Sequence, residues 1–460
     1  MRSPVPPVPG TLDRALGPVD AAALIVSNVI GIGIFTTPGI VAQMVPDPLA
    51  MLATWIAGGA LAFAGASAYA QLAALRPHAG GEYVYLREAF GPLAAFLTGW
   101  TSLVAGFSGA VAAGAVGLIA YLGRYLPWID DPTPLASLPL GVATLEFSPR
   151  TLAAVAIIFA LSAIHIRGLG PGRALQNTLA GVIVLALVLL IGLGFSAGAG
   201  SLHHLAMPAA RTQPMGWLLA LIPVMFTYSG WNAAAYVAEE VRQPRRNVPR
   251  ALALGTFTVV LLYLLLNLLY LYALPPARLA GVINAGNAAA EALFGAGAAG
   301  ALTALMLVAL AGGISAMIVA GPRVYFAMAR DGLFLAAAAK VHPRFRTPVT
   351  AILAQAFCSA LLVVSGKFEQ LLIYTGFAVV LFSGVAVLAL FVLRRRHPQE
   401  AEQLQAWGYP VAPALFVAAC LAMVLNAVWE RPGPSAAGLA VMAAGVPVYL
   451  WWKKRGTRPA

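Results

Sequence analysis

The residues best placed to do chemistry in this chain are two interruptions in apolar runs, with no charged side chain among their members. The first is Ser27-Asn28-Val29-Ile30-Gly31-Ile32-Gly33-Ile34-Phe35, followed by Pro38-Gly39. The second, about 200 residues later, is Phe226-Thr227-Tyr228-Ser229-Gly230-Trp231-Asn232. Glycine weakens a helix interior by roughly 1 kcal/mol relative to alanine, so Gly31 and Gly33 predict a break, and Ser229 and Gly230 a second one. Backbone groups freed by unwinding are tolerated at membrane depth only where they line a cavity or meet a polar ligand. Half-helix N-termini present N–H groups to a carboxylate, and freed carbonyls receive an ammonium. Such a site can hold a zwitterion without any charged side chain.

The elements that position these breaks follow from composition. Of 460 residues 60% are hydrophobic and 10% charged, against roughly 25% charged in a soluble domain. Apolar runs of the roughly 20 residues needed to cross a bilayer recur almost throughout. The expected class is therefore an all-α integral membrane protein of about 12 transmembrane helices. They lie at 18–43, 49–75, 92–125, 151–166, 174–195, 215–237, 250–273, 298–328, 348–365, 368–393, 410–428 and 436–452. Interrupted spans at matching offsets in two halves point to an inverted repeat with its site at the midplane. The expected organisation is a tail at 1–17, a first repeat at 18–197 (helices 1–5), a second at 215–394 (helices 6–10), two additional helices at 410–452, and a tail at 453–460. Residues 1–10 are Pro-rich with no cleavable leader pattern, so the first apolar run is expected to stay as a helix.

The net charge of +12 is a matter of topology. With the N-terminus inside, the inner segments hold 22 Lys and Arg and the outer ones 6 of the 28, the bias expected of cytoplasmic loops. Both termini are expected in the cytoplasm, in a cytoplasmic (cell inner) membrane. Basic residues form no continuous face with interleaved aromatics, which excludes a nucleic-acid partner.

Catalysis and metal chemistry find no support. There are no facing carboxylate pairs, His/Cys ligand clusters or phosphate-cradling loops, so neither an enzyme nor a cofactor is expected. Cys358 and Cys420 sit in apolar runs as small hydrophobes, and the six histidines lie at loops or span ends. Glu239 and Glu240 precede several arginines, but neighbours on a helix point about 100° apart. They are expected to latch a gate with Arg323, Arg330 and Asp331. Gly106, Ala110 and Gly114, and likewise Gly109, Ala113 and Gly117, fit close helix packing. No Asp, Glu, Lys or Arg falls deep in any expected span, so a neutral, apolar or small amino acid is the expected cargo.

Gly31-Ile32-Gly33-Ile34-Phe35 with Pro38-Gly39, then Phe226 to Asn232 running into Glu239-Glu240 and Arg246-Asn247-Val248-Pro249-Arg250, then Arg323 to Gly332, resemble the amino acid-polyamine-organocation superfamily. Within it they are most similar to the L-type amino acid transporter-like branch. The resemblance covers nearly the whole chain. It implies a five-plus-five inverted repeat with broken helices 1 and 6, working by alternating access. It also implies that Ile32 and Gly33 offer N–H groups to the substrate carboxylate, that Val26 and Ser27 face the amine, and that Phe226, Thr227 and Ser229 line the second break. Phe226 would close the pocket from outside.

Two departures from the family pattern stand out. Ser229 replaces a frequent glycine, and the fifth span has no lysine, Ile183 standing at its place, which removes that route for proton coupling. Ser315 is a candidate sodium ligand, against the alternative of a packing or backbone-bonding hydroxyl.

The expected function is secondary transport of neutral L-amino acids, as exchanger or ion-coupled symporter. A cationic amino acid or polyamine carrier and a nontransporting amino acid receptor are the alternatives. The bilayer and the substrate are the expected partners, with no obligate partner subunit.

Overall fold

The computed structural model describes residues 12–139, 144–207, 214–366, 368–402, 408–430 and 432–456. The first eleven residues of the expected N-terminal tail and the last four of the C-terminal tail lie outside it, as do Arg211, Lys367 and Arg431 of the charge count.

Twenty helices follow one another. They are α1 (Pro18–Val29), α2 (Gly33–Met44), α3 (Pro48–Leu75), α4 (Glu82–Phe90), α5 (Pro92–Thr101), α6 (Phe107–Leu122), α7 (Pro149–Ile166), α8 (Leu169–Ala197), α9 (Pro214–Thr227) and α10 (Ala233–Tyr236). Then come α11 (Pro244–Ala273), α12 (Pro276–Leu279), α13 (Ala285–Phe294), α14 (Ala298–Arg330), α15 (Val349–Val364), α16 (Phe368–Arg396), α17 (Pro398–Glu402), α18 (Val411–Glu430), α19 (Pro432–Ala443) and α20 (Gly445–Gly456).

Every expected span falls on a helix or a broken helix pair. Eight described helices are long and apolar enough to cross a membrane, nine when the bent pair α1–α2 counts as one; the stretches Gly216–Thr227 and Val349–Val364 are shorter apolar helices. The molecule is a multi-pass, all-α membrane protein. A two-stranded hairpin, β1 (Ala136–Pro139) with β2 (Thr144–Phe147), lies within the long connection after α6.

Local chemistry sets several helix starts. Asp47 caps α3, accepting the Ala50 N–H at 2.7 Å with Pro48 at the first position, and Ser148 caps α7 ahead of Pro149. Both place a proline where its missing N–H costs nothing. Along α8, Ile183, Leu187 and Ile191 are buried while Val182, Leu185, Val188, Leu189 and Leu193 are exposed. A helix apolar on all faces is stable only if its outer face meets lipid. Ile183, at the family's lysine position, is thus core.

In the centre, α1 packs against α8, α11 and α14, α3 against α11, and α6 against α14. Trp55, Tyr228 and Tyr263 form an edge-on aromatic cluster behind the breaks, with Trp55 5.8 Å from Tyr228 and 6.0 Å from Tyr263.

The third span begins at Pro92, as its hydropathy indicates, and a short helix precedes it. α4 is joined to α5 through Gly91, whose φ of 93° is open to glycine at no steric cost. Glu82, Tyr83, Val84, Tyr85, Leu86 and Ala89 of α4 are buried, so residues 82–90 form part of the packed core. A π-helical turn, Ser102–Gly106, separates α5 from α6.

Candidate functional site

The first break is three residues long. The Ile30 N–H closes the last turn of α1 on the Val26 carbonyl at 2.9 Å, and α2 leaves at 49° to α1. Residues in the first turn of α2, from Gly33, have no carbonyl behind them in their own helix. The second break is longer: α9 stops at Thr227, residues 228–232 form turns, and α10 lasts only four residues. Gly230 sits at φ 103°, a conformation that disfavours any side chain.

The two breaks touch. Asn28 Nδ2 donates to the Gly230 carbonyl at 3.1 Å. The Thr227 hydroxyl donates to the Pro223 carbonyl at 2.8 Å, which leaves Thr37 to donate to Thr227 across 2.7 Å. A methyl built on Gly33 would stand 3.0 Å from Thr227 Cγ2, and one on Gly230 2.7 Å from Asn28 Nδ2. The Tyr263 hydroxyl, from α11, donates to the freed Val29 carbonyl at 2.9 Å. A buried carbonyl freed by unwinding is thereby paired.

Between the breaks lies a cavity of about 360 Å³, the size of a small-molecule site. Ser27, Gly31, Ile32, Gly33, Phe226, Thr227, Ser229 and Gly230 all line it. Val26 does not: it is buried in α1 with its carbonyl taken by Ile30. Ser27 Oγ and Asn28 Oδ1 are buried at the first break without a hydrogen-bond partner. Phe226 is 55% exposed, so it stands beside the cavity without being packed across it.

Several lining residues escape sequence reasoning: Glu82, Thr101, Ser102, Phe107, Tyr236 and Phe382. No expected span carries a deep carboxylate, yet the cavity meets one, because Glu82, between the second and third spans, is 6% exposed and lines it. The hydropathy of residues 76–91 marks a loop, whereas 82–90 of it form a largely buried helix. The pair Gly80-Gly81, both at positive φ, followed by Tyr83 and Tyr85, was the signal available. Gly106 and Gly114, expected only to allow packing, also line the cavity. Gly114 does both, as a methyl there would meet Ile314 Cγ1 at 2.9 Å.

Ser315 is placed elsewhere. Its hydroxyl donates to Gln176 Oε1 at 2.7 Å and lies 2.8 Å from His165 Nε2, all three buried. This cluster ties α14 to α7 and α8. His165 stands at the span end, as expected, and is buried there.

The carboxylates after the second break diverge, as neighbours must. Glu240 takes Arg323 Nε at 2.8 Å and Nη2 at 3.0 Å, with both side chains fully or almost fully buried. Glu239 takes Arg330 at 2.9 Å and the Ala79 N–H at 3.1 Å. Asp331 accepts from Tyr83 at 2.7 Å and pairs with Arg87. Leu16, just before α1, joins the latch by donating its N–H to the Glu240 carbonyl and accepting from the Arg242 N–H. On the same side, hydrogen bonding to Arg76 holds the Glu400 carboxyl below its usual range. The side of the fold that carries Leu16, Glu240 and Asp331 is therefore latched.

Fold and cavity define a multi-pass membrane protein with a central chamber walled by two broken helices. The chain belongs to the amino acid permease family, whose model matches residues 16–451. It is 30% identical to the large neutral amino acids transporter small subunit 2 of Mus musculus, over 96% of this chain and 82% of that protein. It is 28% identical to the serine/threonine exchanger SteT of Bacillus subtilis, over 96% and 98%. It is also 28% identical to the Asc-type amino acid transporter 1 of Mus musculus, over 96% and 82%.

Proposed function

We propose that this protein moves neutral L-amino acids across the cell membrane by alternating access, as an exchanger or an ion-coupled symporter. The observation that carries this reading is the contact of two broken helices around one chamber. Its first break leaves N–H groups at Ile32 and Gly33 on one side and the unpartnered Ser27 and Asn28 groups on the other. Opposed N–H and acceptor groups a few residues apart suit the carboxylate and ammonium of one amino acid. The names of the relatives, all amino acid transporters or exchangers, agree with it.

In this reading the chain is divided into the two repeats and two additional helices set out above. Phe226, which stands beside the chamber in this conformation, moves across it to close it from the outside, and Glu239, Glu240 and Arg323 latch it from the inside. The excess of Lys and Arg in the segments read as inner supports a topology with both termini in the cytoplasm. No partner subunit is required.

A cationic amino acid or polyamine is the second reading, favoured by the carboxyl of Glu82 on the cavity wall. Radiolabelled alanine uptake into proteoliposomes, with and without internal amino acid and ion gradients, tests the proposal. Uptake competed by neutral amino acids is expected. Uptake of no amino acid overturns it, and competition by lysine or putrescine but not leucine transfers it to the second reading.

A further inference from the structure

A second, smaller cavity of about 40 Å³ lies against the latch, walled by the start of α1, the end of α7, the first turns of α8 and the Arg323–Glu240 pair. His165 lines it and is 5% exposed. Its bonds fix its tautomer: the Ser315 hydroxyl gives its proton to Gln176 Oε1 at 2.7 Å, so at 2.8 Å it accepts from His165 Nε2. Nε2 therefore carries the hydrogen and Nδ1 the lone pair. Nδ1 faces α8, where a methyl built on Gly172 would stand 2.7 Å from it. On the same wall Gln176 Nε2 and Asn177 Oδ1 are buried with no partner among the described residues. A donor, an acceptor and a lone pair around a space of this size suit a water, the carrier a proton needs to reach Nδ1.

The charged groups around the ring are already paired. Asp20 accepts from the Gly17 N–H at 2.7 Å and from Asn177 at 2.6 Å, with Arg173 at 3.9 Å, and Glu240 holds Arg323. α6 and α15, also packed on α7, carry no charged residue and only Tyr121 and Cys358 as titratable ones. In the loop before α15, Arg346 pairs with Asp13, and His342 accepts from the N–H groups of Arg344 and Phe345. Arg167 follows α7 directly, and Asp130, Glu146 and Arg150 lie at its other end.

We propose that His165 is a proton-binding site that governs the latch, a proton on Nδ1 favouring the opened state. This rests on the reading of Arg323 and Glu240 as the inner latch. With the latch closed, that proton would create a buried cation in one cavity with Arg323, at the positive N-terminal end of α8. Opening admits water, which solvates the imidazolium and screens it from Arg323, so the opened state binds the proton more tightly. A ligand shifts the population toward the state it prefers, so acid should open the latch. One face of α14 connects ring and latch: Ser315, Val319 and Arg323 lie one turn apart in succession, and Arg323 Nη1 donates to the Val319 carbonyl at 2.7 Å.

The pH dependence of latch opening tests this. The full chain, with Cys358→Ala and Cys420→Ala and a single cysteine on α10, is labelled by a thiol reagent, each rate being taken relative to the unfolded chain at the same pH. Labelling should rise roughly tenfold as pH falls from about 7.5 to about 5.5. In His165→Gln, which keeps an amide donor for Ser315 but takes no proton, it should change less than about twofold. Gly172→Ala sets a methyl against Nδ1 and should flatten the response with the histidine still in place, which covers a glutamine variant that fails to fold. Labelling that does not rise with acid when His165 and Gly172 are both present overturns the proposal. So does a rise retained in both variants, which would assign it to His342 or to the carboxylates. Alanine exchange in proteoliposomes, run alongside, keeps the two readings apart. Exchange without acid-dependent labelling removes this inference and leaves the transport reading; absence of exchange removes the transport reading, while the labelling still decides on His165.

Discussion

The two breaks do the same job with different constraints. At the first, three residues separate two twelve-residue helices, and a methyl built on Gly31 would meet nothing within 4 Å. At the second, Gly230 is fixed twice, by its positive φ and by the backbone and side chain of Asn28 against it. The first break is open toward the chamber, whereas the second is locked to its neighbour. The second also runs on, within ten residues, to Glu239 and Glu240, so a displacement of Asn232–Tyr236 moves the latch as well. Recognition is therefore centred on α1–α2, and transmission on the stretch from Gly230 to Glu240.

The largest expected effect tests transmission. Arg323→Ala leaves Glu240 buried and unpaired, a loss of about 3–5 kcal/mol from the latched state. Accessibility of single cysteines placed along α10 should rise from the latched side; unchanged labelling would separate the latch from the second break. Arg330→Ala, whose pair with Glu239 is partly exposed, should cost under about 1 kcal/mol.

Gly230→Ala comes next. Its side chain is strained by φ and meets Asn28 at 2.7 Å, so a melting point lowered in detergent, equivalent to about 2 kcal/mol, is expected. An unshifted melting point would show that the breaks are not locked together. Gly33→Ala should be milder. Its methyl presses on Thr227, which cannot turn away because it is held by Thr37 and by Pro223. A loss of about 1 kcal/mol with slower exchange is expected, and a gain in stability would contradict the packing argument.

The first break was legible because glycine spacing and hydropathy are local signals, and the same is true of Phe226, Thr227 and Ser229. Val26 was misplaced because the exact residue at which a helix unwinds depends on its last hydrogen bond, here Ile30 to Val26. Asn28 was visible within the motif, yet its role requires Gly230, 202 residues away. Glu82 was missed for a different reason. Its segment is too short and too polar to register as a span, and only packing among α3, α16 and the second break buries it. The latch was legible in its members, since Glu239, Glu240 and Arg323 stand in recognisable motifs. What the sequence left open was which carboxylate takes which arginine, since that pairing is set by the packing of α14 against the stretch after α10.

The smallest structural perturbation gives the most direct test. Gly31→Ala adds one methyl that touches no protein atom and projects into the chamber, so the melting point should stay within about 1 °C while KM for exchange rises roughly tenfold. Unchanged KM with unchanged stability would contradict the account, because the substrate would then not lie against the first break.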